Sequence, residues 1–389
     1  MIINSLIDTD LYKFTMMQAV FHQFPSVDVE YEFKCRTKDI DINPYADKIK
    51  NEISNFCNLR FQKNELDYLK SLHFFKDDFI NFLKFFQLDE SAIKINTEKE
   101  FSLTIRGPWL HTILFEVPVL SIISEIYSKD KVKDKTIGRE KLLKKIELIK
   151  NNKKEGMDFT FSDFGTRRRF SYLWHKEVIE TLKKEIPENF TGTSNLLLAM
   201  NYNIKAVGTM AHEWLMAFQA MKNNRLVDSQ KVALEVWAKE YRGGLAVALT
   251  DSLGFDAFLR DFDLYFAKLY DGCRHDSGDP IIWGEKLIKH YLELGIDPLS
   301  KTGIFSDGLS VEKALNLHQY FKEKIKTHFG IGTNLTNDMG FKTIQIVIKM
   351  TRCEGQPVAK ISDSPGKQMC RDEEYLNYLR RVFKLIDHQ

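Results

Sequence analysis

Between residues 157 and 335 the chain repeats one pattern seven times. A short apolar run ends in a cluster of Gly, Ser, Thr, Asp or Arg, and an amphipathic stretch follows most of these clusters. The clusters are SDFGTR at 162–167, TGTSN at 191–195, GTMAH at 208–212, TDS at 250–252, RHDSGD at 274–279, SDG at 306–308 and GIGTN at 330–334. They recur at intervals of roughly 20–40 residues, the length of a strand-plus-helix unit. Units of this kind build a parallel sheet, because each crossover returns the chain in the same direction. A parallel sheet carries its chemistry at the C-terminal strand ends, in a closed ring or beside an open switch point. One polar cluster at every strand end fits a ring better than a single crevice. The expected core is a β/α-barrel.

The two chain ends read differently. Residues 27–36 alternate apolar with polar, as a strand with one wet face does. Residues 51–88 are rich in Phe and Leu, lack proline and read as helices. Residues 343–362 read as a hairpin: one strand to Cys353, a turn at Glu354-Gly355, and a return strand from Val358 to Ile361. The expected fold class is α/β. Residues 127–339 form the barrel, and residues 1–126 with 340–389 form a smaller α/β domain.

Charge narrows the function. Lys plus Arg number 56 and Asp plus Glu 54, leaving a net charge of +2. A nucleic-acid-coating surface needs a stronger basic excess. Residues 129–154 are the exception, with 11 basic and 4 acidic side chains. Their apolar residues fall at helical spacing, so a solvated helix is expected, with a phosphate- or partner-facing surface as the alternative. The segment lacks the aromatic interleaving of a single-strand binder. Five widely spaced cysteines make no CxxC pair, so reduced thiols are expected. The N-terminus lacks a basic segment before an apolar core, and no apolar run is read as approaching the ~20 residues of a spanning helix. A cytoplasmic location is expected.

The strand-end clusters carry the chemistry. Asp276 and Asp279, three residues apart in a Gly-containing turn, suit Mg²⁺ held directly or through water. The adjacent Arg274 suits an anion. Against this stands an Asx-rich turn with a local ion pair. Asp307, Gly308, Gly332 and Thr333 belong to the last two clusters, where barrels often bind phosphate. The third glycine of a dinucleotide fingerprint is missing, and so is a Walker A motif. Thr209 fits a helix N-cap, which puts His212 in the first turn, poised to touch or carry a phosphate. Arg167, Arg168 and Arg169 would fan by ~100° each on a helix. One would face the site, and the others would face solvent or a partner. Phe164 offers a ring face to a flat ligand. No Ser/His or Cys/His nucleophile pair stands out. The residues by themselves lead to a Mg²⁺-dependent, phosphate-handling enzyme.

Five separated stretches also resemble one family. They are TDLYKFTM at 9–16, SDFGTRRR at 162–169, GTMAHE at 208–213, RHDSGDP at 274–280 and GQPVAKISDSPGK at 355–367. In this order they resemble the nicotinate phosphoribosyltransferases, over nearly the whole chain. The resemblance implies an irregular seven-stranded β/α-barrel beside an open α/β sandwich built from both termini. It implies synthesis of nicotinate mononucleotide and pyrophosphate from nicotinate and 5-phosphoribosyl-1-pyrophosphate. ATP hydrolysis is coupled through a phosphohistidine at His212, and the step belongs to NAD salvage. Tyr12 and Phe164 match aromatics that sandwich the pyridine, with Tyr12 reaching in from the second subunit of a homodimer. Thr209 and Arg274 match nicotinate contacts, and Arg167 a pyrophosphate contact. Asp276 and Asp279 match the ribose, pyrophosphate and Mg²⁺ region. Gly308, Gly332 and Thr333 match the 5′-phosphate cradle. Ser194 stands where nicotinamide-specific relatives carry an aspartate, so the acid substrate is expected. Phe218 departs from the histidine that relatives often carry. The competing readings are a nicotinamide or quinolinate phosphoribosyltransferase on the same fold, and a binding protein that kept the fold without the chemistry.

Overall fold

The computed structural model describes residues 1–154, 158–222, 224–364, 370 and 372–385. Pro365, Gly366 and Lys367, at the end of the last resembling stretch, lie outside them. The described strands are β1 (Asp28–Cys35), β2 (Ile93–Asn96), β3 (Ser102–Pro108), β4 (Phe161–Asp163), β5 (Phe190–Thr193), β6 (Lys205–Ala206), β7 (Val247–Leu249), β8 (Gly272–His275), β9 (Thr302–Phe305), β10 (Lys326–Ile331), β11 (Ile346–Cys353) and β12 (Gln356–Pro357). They form two sheets.

The larger sheet is parallel, in the order β6-β5-β4-β10-β9-β8-β7. Each of its seven strands ends at one of the seven polar clusters, as expected. The sheet curls into an irregular half-barrel whose edge strands β6 and β7 are not paired. A side chain crosses that seam instead: the Thr209 hydroxyl donates to the Val247 carbonyl at 3.2 Å. The strands' phenylalanines hold the helical layer. Phe305 meets Trp283 at 5.3 Å and Phe321 at 5.4 Å, and it stacks on Phe329 of the neighbouring strand at 5.6 Å.

The smaller sheet is antiparallel, in the order β12-β11-β1-β3-β2, so both chain ends build it. On β1, Val29, Tyr31 and Phe33 are buried, and the alternate positions carry Glu30, Glu32 and Lys34. The helices Ala46–Cys57, Lys63–Ser71 and Asp77–Leu83 occupy the Phe/Leu-rich region. The expected return strand from 358 to 361 is replaced by β12, which ends at Pro357. The Val358 N–H makes one more bond to β11, donating to the Thr351 carbonyl at 3.0 Å. The chain then leaves the sheet, and Ile361 bridges to Leu253 behind β7. This detour carries Lys360 to the barrel.

One apolar run is longer than the sequence reading allowed for. The stretch Trp109–Lys131 is long and apolar enough to cross a membrane, but 89% of its apolar window is buried inside the protein. It is a buried helical stretch, Trp109–Thr112 followed by the core helix Glu116–Lys131, and two of its hydroxyls serve the barrel: Ser121 and Ser124 donate to the carbonyls of Thr166 and Arg169. The basic segment is helical over Thr136–Lys154, yet it is more than a solvated face. Lys141 and Lys145 both pair with Asp338, at 2.7 and 2.6 Å, and Lys145 also donates to the Asn334 carbonyl. The helix therefore holds the loop after β10.

Candidate active site

The half-barrel's polar ends and one face of the antiparallel sheet enclose a cavity of about 450 Å³. Tyr12, Phe164, Arg167, Ser194, His212, Arg274, Asp276, Asp307, Gly308, Gly332 and Thr333 all line it. The helix Leu11–Gln23 delivers Tyr12, because Leu11 N–H donates to the Ser194 carbonyl at 2.8 Å. Tyr12 thus lines the cavity of its own chain. Phe164 lies directly over Gly330, where an added Cβ would sit 2.3 Å from the ring. Only glycine leaves room for the ring at that place.

Two expected contacts lie elsewhere. Asp279 is exposed, and its Oδ1 accepts from the N–H groups of Ile281 and Ile282, capping the helix Pro280–Glu293. It does not line the cavity, so the Asx-cap alternative holds for Asp279 and the pairing with Asp276 in one metal site does not. Thr209 spends its hydroxyl on the barrel seam. It is not an N-cap either, since Ala211 holds that position and the helix His212–Ala217 is short.

The three arginines divide in a way a helical fan does not allow, because Thr166–Arg168 is a 3-10 turn. Arg167 and Arg168 both line the cavity. Arg169 is fully buried in a two-point pair with Asp8, at 2.6 and 2.7 Å. Burial, with Arg167 and Arg36 nearby, lowers the Arg168 guanidinium to about 9. Arg274 lines the cavity with a buried Nε that has no hydrogen-bond partner among the described residues. A desolvated guanidinium N–H left open in this way suits an anionic ligand.

His212 sits in a buried charged corner. Its Nε2 is 2.8 Å from Asp251 Oδ1 and 3.6 Å from Asp276 Oδ2. Asp251 Oδ2 accepts from Ser277 at 2.6 Å and pairs with Lys360 at 2.7 Å. Burial disfavours charge on Asp251, but His212 and Lys360 outweigh it and hold the carboxylate well below its usual range. Burial and the Lys360 cation lower His212 to about 4, against the pull of Asp251. The imidazole is therefore neutral near pH 7. An ionised Asp251 only accepts, so the hydrogen is assigned to Nε2 and the lone pair to Nδ1.

Ligand atoms of His212, Asp251 and Asp276 lie within 4.8 Å of one another. Both Asp251 oxygens are already engaged, whereas Asp276 is part-exposed in the cavity. A hard cation held by one carboxylate, waters and substrate oxygens fits that donor set.

Several cavity groups were not singled out from the sequence: Asp10, Arg36, Glu116, Lys349 and Lys360. Glu116 lies 2.6 Å from the fully buried Lys13, which also pairs with Glu213, the residue after His212. Burial works against the Glu116 charge, but Lys13, Lys349 and Arg167 outweigh it and keep the carboxylate ionised. Lys349 is lowered to about 8 by burial, Arg167 and Lys360, against the pull of Glu116. Phe218 is buried against Phe24 and Trp214, away from this chemistry.

Comparison with known proteins agrees with this architecture. Residues 159–386 match the model of the nicotinate phosphoribosyltransferase (NAPRTase) family, and residues 7–124 match that family's N-terminal domain. The chain is 55% identical to a nicotinate phosphoribosyltransferase of Burkholderia mallei, covering 98% of this chain and 97% of that one. It is 54% identical to one of Bordetella petrii, covering 99% of each. The crystal structure of nicotinate phosphoribosyltransferase from Vibrio cholerae superposes with a TM-score of 0.95 at 42% identity, covering 99% of this chain and 94% of that one. A putative nicotinate phosphoribosyltransferase of Saccharomyces cerevisiae gives 0.91 at 32% identity, covering 99% of both chains.

Proposed function

Since the chain belongs to the nicotinate phosphoribosyltransferase family, we propose that it joins nicotinate to 5-phosphoribosyl-1-pyrophosphate, releasing pyrophosphate and coupling the step to ATP hydrolysis through His212. The observation that carries this reading is the His212–Asp251–Lys360 corner beside a cavity lined by arginines. The neutral imidazole has its Nε2–H engaged by Asp251, which leaves the lone pair on Nδ1. Nδ1 attacks the γ-phosphorus of ATP, the P–N bond forms, and the P–O bond to ADP breaks. Asp251 retains the Nε2 hydrogen bond and stabilises the positive charge on the ring. Water later takes the phosphoryl group from the imidazole, giving phosphate.

In the glycosyl transfer the pyridine nitrogen attacks C1 with its own lone pair, while the bond from C1 to the pyrophosphate oxygen breaks. No proton needs removing, so no general base is required. Tyr12 and Phe164 flank the ring, and Arg274 meets the nicotinate carboxylate. Arg167 and Lys349 oppose the pyrophosphate charge. Gly308, Gly332 and Thr333 offer backbone and hydroxyl donors to the 5′-phosphate. Asp276 would hold Mg²⁺, which supplies charge neutralisation to the departing pyrophosphate. The homodimer implied by the resemblance and a cytoplasmic location accompany this reading.

The test is mononucleotide formation from nicotinate or nicotinamide, with and without ATP, for the wild type and His212→Ala. The expected result is product from nicotinate that rises with ATP, and an acid-labile, base-stable phosphoryl label that His212→Ala abolishes. Product from nicotinamide alone would overturn the substrate. An ATP-independent rate that His212→Ala leaves unchanged would overturn the coupling.

A further inference from the structure

Ser194 is the residue through which an acid substrate would be preferred, but its hydroxyl hydrogen is already committed. Ser194 Oγ donates to Asp10 Oδ1 at 2.7 Å, in a contact with both side chains buried. The backbone of Ser194 is committed as well: its N–H donates to the Asp163 carbonyl, and its carbonyl accepts from Leu11 N–H. A serine hydroxyl has a single hydrogen. With that hydrogen on Asp10, Ser194 presents only lone pairs to the cavity. Lone pairs repel a carboxylate and welcome an amide N–H. An ionised Asp10 would therefore turn this pocket toward the amide.

We propose that Asp10 sets the acid-over-amide preference by taking up a proton from solvent when a pyridine carboxylate binds. Protonated Asp10 donates to Ser194 Oγ, and Ser194 turns its own hydrogen to the ligand carboxylate. This rests on the nicotinate reading of the site and deepens it. The net change is one proton gained by the Asp10 carboxylate, with no other bond made or broken.

The surroundings of Asp10 favour that uptake. Burial raises its pKa and nearby Asp163 adds to the rise, against hydrogen bonds from Thr166 and Ser194 and the charge of Arg167. Tyr12, another ionisable neighbour, stays neutral, since burial and Glu116 push its phenol up. A ligand carboxylate arriving beside Ser194 raises Asp10 further. The neutral state is therefore within reach. Asp10 is a positioning residue here: it acts on the ligand through Ser194.

The experiment is calorimetry of nicotinate binding to the full-length protein at pH 8, in two buffers of different ionisation enthalpy, alongside the pH profile of kcat/KM for nicotinate and for nicotinamide. The expected result is uptake of about one proton per site. The nicotinate-to-nicotinamide ratio then falls as pH rises, by up to about tenfold per unit. Asp10→Asn keeps both hydrogen bonds, because its amide N–H donates to Ser194 and its carbonyl accepts from Thr166. It should abolish the uptake and flatten the profile. Ser194→Ala should raise the nicotinate KM at every pH. Binding and turnover of nicotinate with no proton uptake, or a wild-type slope retained in Asp10→Asn, would overturn the role of Asp10 and leave the nicotinate reading standing. Failure of the wild type to bind nicotinate would overturn both.

Discussion

The two sheets supply one cavity by different means. The parallel sheet contributes short groups from the loops after its strands: glycines, hydroxyls and carboxylates such as Gly332, Ser194 and Asp276. The antiparallel sheet and its continuations contribute long cations. Arg36 directly follows β1, Lys349 lies within β11, and Lys360 follows β12. The first set is fixed by backbone position, and an added Cβ at Gly330 or Gly332 would crowd Phe164. In the second set Lys360 is fixed by its pair with Asp251, and Lys349 lies in the field of Glu116, Arg167 and Asp276. One sheet shapes the cavity and the other balances its charge.

The sharpest way to break this division is Lys360→Met. The change leaves Asp251 and His212 in a buried corner without their cation. Removing one member of a buried ionic network costs about 3–5 kcal/mol. The mononucleotide-forming rate should fall by at least about a hundredfold, with the loss in kcat rather than in the nicotinate KM. A loss of only a few-fold would mean that the cations from the smaller sheet are passive counterions. The matching test of the larger sheet is Gly330→Ala. The new Cβ would lie 2.3 Å from the Phe164 ring, so ring or backbone must move. Overpacking of this kind costs about 1–3 kcal/mol. The nicotinate KM should rise about tenfold, while the phosphoribosyl pyrophosphate KM changes little. Equal increases in both would show that the strand, not the ring, had shifted.

The same division explains what could be read in advance. All seven strand-end clusters were legible, because a polar group after an apolar run stands out against its neighbours. His212, Asp276 and Arg274 belong to those clusters and were found that way, whereas Ser194, in another cluster, was singled out by the family resemblance. Lys349 and Glu32 are direct partners across the antiparallel pair, at positions where an alternating strand puts its wet face. A charge there looks the same whether the face meets solvent or a closed cavity. Only tertiary packing separates the two cases. Lys360 was hidden for another reason: the expected return strand would have kept it in the small sheet, whereas the chain leaves that sheet after Val358 and crosses toward β7. Glu116 opens an apolar core helix, where a lone acid carries no periodic signal.

Lys349 gives a smaller, graded effect. Its ammonium is lowered to about 8, so it is charged at pH 7 and largely neutral at pH 9. Rising pH removes a cation that opposes the pyrophosphate. The phosphoribosyl pyrophosphate KM should therefore increase about tenfold from pH 7 to 9. Lys349→Arg stays charged throughout and should flatten that rise. Because Asp10 governs the nicotinate KM instead, a pH effect shared equally by both substrates would count against this assignment.

The smallest effect separates two carboxylates that the sequence presents as a pair. Asp276 and Asp279 lie in one turn, but only Asp276 reaches the cavity. Asp279 is exposed and satisfies the first N–H groups of the helix that begins at Pro280. Asp279→Ala should lower unfolding free energy by about 1 kcal/mol, as the loss of an N-cap does. It should leave kcat and both KM values within about twofold, since surface changes away from a site rarely reach it. Asp276→Asn should leave the unfolding midpoint near wild type and remove most of the turnover. The two variants thus part stability from chemistry within four residues of one loop. If Asp279→Ala instead lost activity that added Mg²⁺ restored, both carboxylates would serve the metal, and the helix cap would be secondary.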